Sequence, residues 1–476
     1  MSLRSWTLPR GEPGLRRIAN DAGLSVAILP NGCIHAIEHD DGKGAVAINL
    51  IYGSPLDGGI ARVLVRPEDG KPFEAMGPRA RAATAIEPAS VVWTGETGGL
   101  RHRVTLSLHP ERPAWRWTVE VENASAAPVA VDALLIQDLG LGPRGFLMNN
   151  EAYVSQYLDH RPTSQPGLGT VLMSRQNLEQ DGRHPWVAHW CEEQSAGFAT
   201  DAIDVFGPAY RDAPGLGLPF GTALPSRRRQ HETACAALQS RAATLAPGET
   251  ARWRFTALFL PDHKAASGDA DLAHIESVAW PAEPSSEPPP DGEAVVRSIL
   301  QDAAPLAVEP LEDIERRWPE REHEERAKGA LHSFFVGPRH VVLTEKERGL
   351  ARRHGALLRS GTSLLPDETT LCSTAWMHGV FAAQLTIGNT SFHKLFSVSR
   401  EPFGITRSSG LRILAQTAEG WQTLTVPAAF EIGLSDCRWI YRTAARTIAV
   451  HAVASGQDAA LQIRVTVEGE PCRLLV

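Results

Sequence analysis

Strict alternation of apolar and polar residues in two neighbouring segments is the feature that most restricts how this chain can fold. The apolar positions are Val104, Leu106 and Leu108 in the first segment and Trp115, Trp117, Val119 and Val121 in the second. Successive side chains of a β-strand point to opposite faces, so each segment places its apolar residues on one face and its charged residues on the other. The pattern predicts paired antiparallel strands. A third strand from residue 129 is expected to extend them into a meander within a β-sandwich.

The composition agrees with a mainly β fold of more than one domain. The 476 residues include 41 glycines and 34 prolines, and 43% of them are apolar, enough for several cores. We expect a large antiparallel β-sandwich over residues 1–280 and a proline-rich and helical linker over 281–340. A second β-sandwich, incomplete at its C-terminus, is expected over 341–476. The helical part of the linker rests on Leu311, Ile314 and Trp318, which recur at helical spacing.

One long stretch of the first domain lacks a clear period. Between residues 140 and 225 the alternation decays into a sequence rich in glycine, proline, asparagine and aromatic residues. Long irregular connections in compact domains are uncommon and are often functional. The aromatic content favours an ordered, irregular connection.

Charge and cysteine content exclude several classes of protein. The formal net charge is −8, and the run from Arg227 to Arg229 is the single short basic cluster, so nucleic acid is not an expected partner. No segment approaches ~18 uninterrupted apolar residues, so no membrane span is expected. The six cysteines are widely spaced, which favours reduced thiols and a cytoplasmic location.

No catalytic or metal-binding motif is complete. The chain has no phosphate-binding glycine loop, no nucleophile elbow and no HExxH sequence. His184, His189 and Cys191 lie close in sequence, but their spacing matches no established zinc pattern, so no metal site is predicted. The charged row Arg116, Glu120 and Glu122 on the second alternating strand is most simply solvated sheet surface.

A polar and aromatic cluster is the best candidate for ligand binding. Saccharides are bound by aromatic faces together with planar amide and guanidinium groups. These types occur together at Asn149, Asn150, Tyr153, Gln156, Tyr157 and Arg161, which we take as candidate substrate-binding residues. The alternative is a loop that packs its own tyrosines and caps its turns with asparagines.

Longer strings of the sequence resemble a known family. Segments 149–161, 171–178 and 184–189 resemble the N-terminal sandwich of β-1,2-oligoglucan phosphorylases in the glycoside hydrolase 94 group. Segments 364–370, 373–381 and 387–392 are similar to the second sandwich domain of those enzymes. The chain is also similar to the phosphorylase-like region of cyclic β-1,2-glucan synthases. The resemblance implies a galactose-mutarotase-like supersandwich as the first domain.

The resemblance also implies a reaction that this chain does not carry out by itself. In that family a carboxylic acid protonates the glycosidic oxygen while inorganic phosphate, the co-substrate, attacks the anomeric carbon with inversion. The acid and the phosphate-binding groups lie in a later (α/α) toroid, which the 476 residues lack. We therefore expect a non-catalytic, carbohydrate-binding N-terminal portion, with a β-1,2-linked glucooligosaccharide as ligand and no catalytic residue of its own.

Two other functions stay open at this point. The first sandwich could be a self-sufficient epimerase of the mutarotase type, with His189 and either Glu192 or Glu151 flanking the anomeric carbon. Alternatively, the chain could be a structural partner of a separately encoded catalytic barrel. Assembly into homo-oligomers is compatible with either role.

Overall fold

The computed structural model describes most of the chain as two compact units. The described residues are 14–53, 59–80, 82–150, 152–207, 218–230, 233–281, 293–294, 299, 303–350, 354–362, 370–387, 391–393 and 412–476. The first unit contains residues 1–205 and 216–298, and the second contains 206–215 and 299–476. The proline-rich segment 282–290, expected as the linker, lies outside the described residues.

The first unit is built almost entirely from antiparallel strands. Its strands are β1 Arg16–Ala19, β2 Leu24–Ile28, β3 Ile34–Asp40, β4 Ala45–Ala47, β5 Ala61–Pro67, β6 Phe73–Glu74, β7 Ala82–Ile86, β8 Ser90–Thr97, β9 Leu100–Leu108, β10 Ala114–Asn123, β11 Val129–Asp138, β12 Leu158–Gln165, β13 Gly169–Gln176, β14 Trp186–Cys191, β15 Ser195–Asp201, β16 Ala234–Ser240, β17 Ala243–Leu245, β18 Thr250–Leu260 and β19 Glu293–Ala294. Its helices are α1 Arg144–Asn150, α2 Ala152–Ser155, α3 Ala202–Phe206 and α4 Leu272–Glu276.

Two facing sheets form the sandwich of this unit. The large sheet has the order β12-β13-β14-β18-β10-β9-β8-β7-β19, and the opposing sheet has the order β15-β16-β11-β5-β6 with β17 beside β11. The indole nitrogen of Trp115 on β10 donates to Gln137 on β11 across 3.2 Å, so Trp115 marks the inner face of the large sheet. Trp117 and Val119 share that face and are fully buried. The predicted antiparallel sandwich is confirmed.

The third strand of the expected meander lies in a different sheet. β9 and β10 pair as predicted, but β11 pairs with β5 and β16 of the opposing sheet. The connection after Asn123 therefore crosses the sandwich. Residues 131–138 are buried on both faces, as expected of a central strand that is covered on each side.

The stretch from 140 to 225 is also more regular than the sequence indicated. It contains strands β12 to β15, and β12, β13 and β14 extend the large sheet beyond β18. Every residue of β14 is buried. A strand that is buried on both faces shows no apolar–polar alternation, so the prediction of an irregular connection was wrong for these strands.

The second unit is likewise dominated by strands. These are β20 Ala304–Pro305, β21 Glu322–Ala327, β22 Ala330–Val336, β23 Arg339–Leu343, β24 Gly355–Arg359, β25 Leu371–Trp376, β26 Gly379–Ile387, β27 Ser391–His393, β28 Leu414–Thr417, β29 Gly420–Thr423, β30 Ala429–Ile432, β31 Asp436–Arg442, β32 Arg446–Ala454, β33 Leu461–Gly469 and β34 Leu474–Leu475. Its short helices are α5 Ile314–Arg317 and α6 Thr344–Gly349. The main sheet has the order β21-β22-β23-β30-β31-β32-β33.

The helical stretch expected after residue 311 is mostly β-structure. One helical turn, α5, is followed by the strands β21, β22 and β23. The hairpin between β21 and β22 turns at Lys328 and Gly329, whose φ angles are +50° and +84°. Two consecutive positive φ values are typical of the tight turns that join antiparallel strands. Lysine is not a usual residue at such a position, so the turn gave no clear sequence signal.

No described helix is long and apolar enough to cross a membrane.

Candidate functional site

Tyr153 and Tyr157 form an exposed aromatic pair at the entrance to β12. The two rings pack edge to face with centroids 5.1 Å apart, and their hydroxyl groups share a hydrogen bond. Tyr153 is 50% exposed, although it is one of the larger apolar side chains of the unit. The hydrogen bond to Tyr153 raises the pKa of the Tyr157 hydroxyl. The pair therefore offers solvent two ring surfaces and a fixed pair of hydroxyl groups.

Polar side chains from the predicted cluster lie in the same short region. The side-chain amide of Asn150 donates to the carbonyl of Phe146 within α1 at 2.9 Å, and the residue is exposed. Gln156 is exposed in the turn between the two tyrosines and β12. The side chain of Asn149 lies outside the described residues. Two of the three predicted amides are therefore available beside the tyrosine pair.

Arg161 lies further along the same strand. It is three residues beyond Leu158, the start of β12, which places it about 10 Å from the strand's first residue. Its guanidinium donates to Asp269 at 2.9 Å, and both side chains are largely exposed. An exposed ion pair of this kind contributes little to stability, so Arg161 can exchange partners at small cost.

A second polar cluster lies on the outer face of the large sheet. Arg116 follows the inward-facing Trp115 and therefore points outward. It is 6% exposed, its guanidinium lies 2.6 Å from Glu192, and its central carbon lies 4.2 Å from the centroid of the Trp280 ring. Glu192 also accepts a hydrogen bond from Thr256. Arg116 is thus bound in a network, and the expectation of a simply solvated row was wrong at this residue. Its partners are distant in sequence, so no local pattern could have revealed the network.

The inner face of the large sheet carries buried histidines. His160 bonds through Nδ1 to Ser174 at 2.8 Å, and His189 packs against the edge of the Trp115 ring. Removal from water lowers the pKa of both imidazoles to about 3. They are neutral over the physiological range and have no access to a ligand in solution.

The arrangement excludes one of the proposed epimerase pairs. His189 contacts Trp115, whereas Glu192 contacts Arg116, and these neighbouring residues of β10 point to opposite faces of the sheet. His189 and Glu192 therefore cannot flank one sugar carbon. Glu151 lies outside the described residues.

Among the described residues, one group of histidine and carboxylate side chains could hold a metal ion. It comprises His263, Asp271 and His274, not the sequence neighbours His184, His189 and Cys191. His184 bonds instead to the carbonyl of Gln176 at 3.1 Å. The sequence missed this group because His263 and Asp271 lie in the segment after β18 where no metal-ligand spacing is recognisable.

Comparisons with known protein families identify both units. Residues 27–256 match the model described as the SOGP N-terminal domain. Residues 318–475 match the model described as the glycoside phosphorylase supersandwich domain. The second match begins before β21, so it includes the strands that replace the expected helices.

One relative spans most of the chain. The 1,2-beta-oligoglucan phosphorylase of Listeria innocua serovar 6a is 31% identical over 427 residues, which is 88% of this chain and 37% of that protein. The chain therefore spans little more than a third of the length of this relative.

The solved structures that the comparison found are much more distant in sequence. A polysaccharide lyase is 8% identical with a TM-score of 0.32 and covers 94% of this chain and 47% of its own. A putative aldose 1-epimerase from Escherichia coli K12 is 10% identical with a TM-score of 0.28 and covers 52% of this chain and 98% of its own. The two family matches and the 31% identical relative show that the chain carries the SOGP N-terminal domain and the glycoside phosphorylase supersandwich domain in succession, and that it is similar to the N-terminal region of a 1,2-beta-oligoglucan phosphorylase.

Proposed function

We propose that this chain is the carbohydrate-binding, non-catalytic N-terminal portion of a glycoside phosphorylase that acts on β-1,2-linked glucooligosaccharides. The observation that carries the proposal is the exposed Tyr153–Tyr157 pair, because half of a large aromatic side chain is left in water on an otherwise well-packed unit. Two adjacent tyrosines combine apolar ring surface with hydroxyl groups, and this combination suits contact with a ligand that has both C–H and polar groups.

The surroundings of the pair suit a saccharide. Aromatic faces contact the C–H surfaces of a sugar ring, while amides and guanidinium groups bond to its hydroxyls. Asn150 and Gln156 supply the amides, and Arg161 supplies a guanidinium about 10 Å along β12. That span fits two linked glucose units. Asn149 completes the proposed set of binding residues.

Removal of one ring tests the binding surface. Tyr153→Ala is expected to weaken binding of a sophorooligosaccharide about five- to tenfold, because an aromatic contact contributes about 1 kcal/mol. Isothermal titration calorimetry of the full chain measures the affinity. Tyr153→Phe keeps the ring and is expected to retain most of the binding.

Two controls make the result specific. Phe335→Ala removes an aromatic side chain of similar exposure from β22 in the second unit and is expected to leave the affinity unchanged. A maltooligosaccharide of equal length tests whether binding depends on the β-1,2 linkage. Equal affinity of the wild type and Tyr153→Ala would remove this surface from the proposal, and no binding at millimolar sugar would count against a carbohydrate-binding role.

The proposed whole-protein reaction is inverting phosphorolysis with inorganic phosphate as co-substrate, and we assign none of its catalytic residues to this chain. The 476-residue chain is therefore expected to release no phosphate when it is mixed with glucose 1-phosphate and sophorose. A colorimetric phosphate assay measures the release, and a longer phosphorylase of the same family is the positive control. Turnover by the purified chain would show that it contains a catalytic centre.

The same proposal includes location and assembly. The six widely spaced cysteines suit a cytoplasmic location, where thiols stay reduced. A separately encoded catalytic domain and a second copy of the chain are the proposed protein partners.

A further inference from the structure

Three potential metal ligands converge beside the outer face of the large sheet. The ligand atoms of His263, Asp271 and His274 all lie within 4.8 Å of one another, and Nε2 of His263 is 2.8 Å from Oδ1 of Asp271. All three side chains are half-buried. They belong to the segment 261–281, which follows β18 and which we call the covering segment.

The hydrogen bonds of His263 orient it as a metal ligand. Its Nδ1 lies 2.9 Å from the carbonyl oxygen of Ala265. A carbonyl can only accept, so Nδ1 carries the hydrogen, and the neutral ring presents the lone pair of Nε2 towards Asp271 and His274. Metal-binding histidines commonly donate their second ring N–H to a carbonyl in this way.

Asp271 is oriented in a similar manner. Its Oδ2 accepts a hydrogen bond from the backbone N–H of Gly268 at 2.8 Å, which leaves Oδ1 directed at His263. One carboxylate oxygen is thus held by the backbone, and the other faces His263, where it can bind a cation that lies between the two side chains.

The ring of His263 is also held in place by packing. It stacks on the buried Trp186 with centroids 5.4 Å apart, and Trp186 is fixed by a hydrogen bond to Ser267. The backbone carbonyl of His263 accepts from Arg175 at 2.6 Å. His274 packs edge to face against the same tryptophan. The ligand positions are therefore set by the fold before any ion binds.

We propose that His263, Asp271 and His274 form a binding site for a single Zn²⁺ ion, with a fourth position open to water. Two imidazole nitrogens and one carboxylate oxygen are a ligand set that zinc accepts in tetrahedral geometry. With zinc bound, the His263–Asp271 separation would open by about 0.5 Å to reach bond lengths of roughly 2.0–2.2 Å. The ion would link the start of the covering segment at His263 to Asp271 and His274 further along it, and the stacking of His263 on Trp186 of β14 would hold the linked segment against the sheet.

Zinc titration of the full chain, after removal of metal by a chelator, tests the proposal. Calorimetry is expected to show one equivalent of Zn²⁺ bound with micromolar or tighter affinity, and Zn²⁺ is expected to raise the thermal unfolding midpoint. Co²⁺ in the same site is expected to give the intense visible bands of low-coordinate cobalt. His274→Gln and Asp271→Asn should each weaken binding at least tenfold.

The matched control is His332→Gln, which removes a half-buried histidine of β22 in the second unit and should leave zinc affinity unchanged. Far-UV circular dichroism checks that each variant is folded. If the wild type binds no zinc at micromolar concentration, or if both cluster variants bind as tightly as the wild type, then His263 and Asp271 form a hydrogen-bonded pair only and the proposal is wrong. Neither outcome depends on carbohydrate binding.

Discussion

The first unit is expected to lose stability steeply as the pH falls from about 6.5 towards 4. Three histidines are held neutral inside it, because burial lowers the pKa of His102 to about 4 and the pKa values of His160 and His189 to about 3. An exposed histidine in the unfolded chain has a pKa of about 6.5. Between these values the unfolded state binds three protons that the folded state does not, so unfolding becomes more favourable as the pH falls.

Asp138 acts in the opposite direction over the same range. Its carboxyl is completely buried and accepts hydrogen bonds from the backbone of Leu50 and Ile51, and burial raises its pKa to about 7. The folded state therefore holds a proton that the unfolded state has lost above pH 4. For these four groups, three protons minus one leaves a net uptake of two on unfolding, which corresponds to about 2.7 kcal/mol of unfolding free energy per pH unit. Burial also lowers the pKa of His39, which acts in the same direction as the three histidines.

Chemical denaturation at several pH values between about 5.5 and 4.5, where the unfolded histidines and the folded Asp138 are both largely protonated, measures this slope. Asp138→Asn keeps an oxygen acceptor for the two backbone N–H groups and removes the opposing titration, so its slope is expected to rise to about 4 kcal/mol per pH unit. His189→Gln removes one of the three histidines that gain a proton on unfolding, so it should lower the slope by about 1.4 kcal/mol per pH unit. A slope near zero in the wild type, or an identical slope in Asp138→Asn, would contradict the assignment of these groups.

The sequence located strands in which apolar and polar residues alternate, but it missed β14 and did not show which sheet β11 joins. β9 shows regular alternation and was located correctly. β14 is buried throughout, and most of β11 is buried as well, so neither carries a period that could show its sheet or its partners. Which sheet a strand joins depends on contacts with residues far away along the chain. That β11 lies in the opposing sheet could therefore be recognised only from the structure.

The candidate sites also differ in whether their residues are close together or far apart in the sequence. Tyr153 and Tyr157 are four residues apart, and their contact could be anticipated from a local cluster. The partners of Arg116, by contrast, come from the end of β14 and from the covering segment. The His263–Asp271–His274 group depends on a turn that brings a loop residue back to α4. Chain reversals of this kind have no regular spacing, so these sites could be recognised only from coordinates.

A buried ion pair in the opposing sheet is expected to give the largest effect of a single substitution. Arg66 on β5 is completely buried, and its guanidinium binds Asp132 on β11 through two hydrogen bonds of 2.7 and 2.6 Å. The remaining nitrogen donates to three backbone carbonyls, and the shortest of these bonds, to Thr222, is 2.7 Å. One side chain thus donates hydrogen bonds both to a buried carboxylate and to three backbone carbonyls of the loop 218–222.

Arg66→Met is expected to lower the free energy of unfolding of the first unit by about 3–5 kcal/mol, because it leaves the Asp132 charge and three carbonyls without this donor. The double variant Arg66→Met/Asp132→Leu removes both charges and should recover a large part of the loss, since an apolar pair can replace a buried ion pair. Arg101→Met, which breaks the exposed pair with Glu122, is the matched control and should cost less than about 1 kcal/mol. Urea unfolding of the variants measures all of these differences. If the double variant is as unstable as Arg66→Met, the carbonyl contacts of Arg66 outweigh its pairing with Asp132.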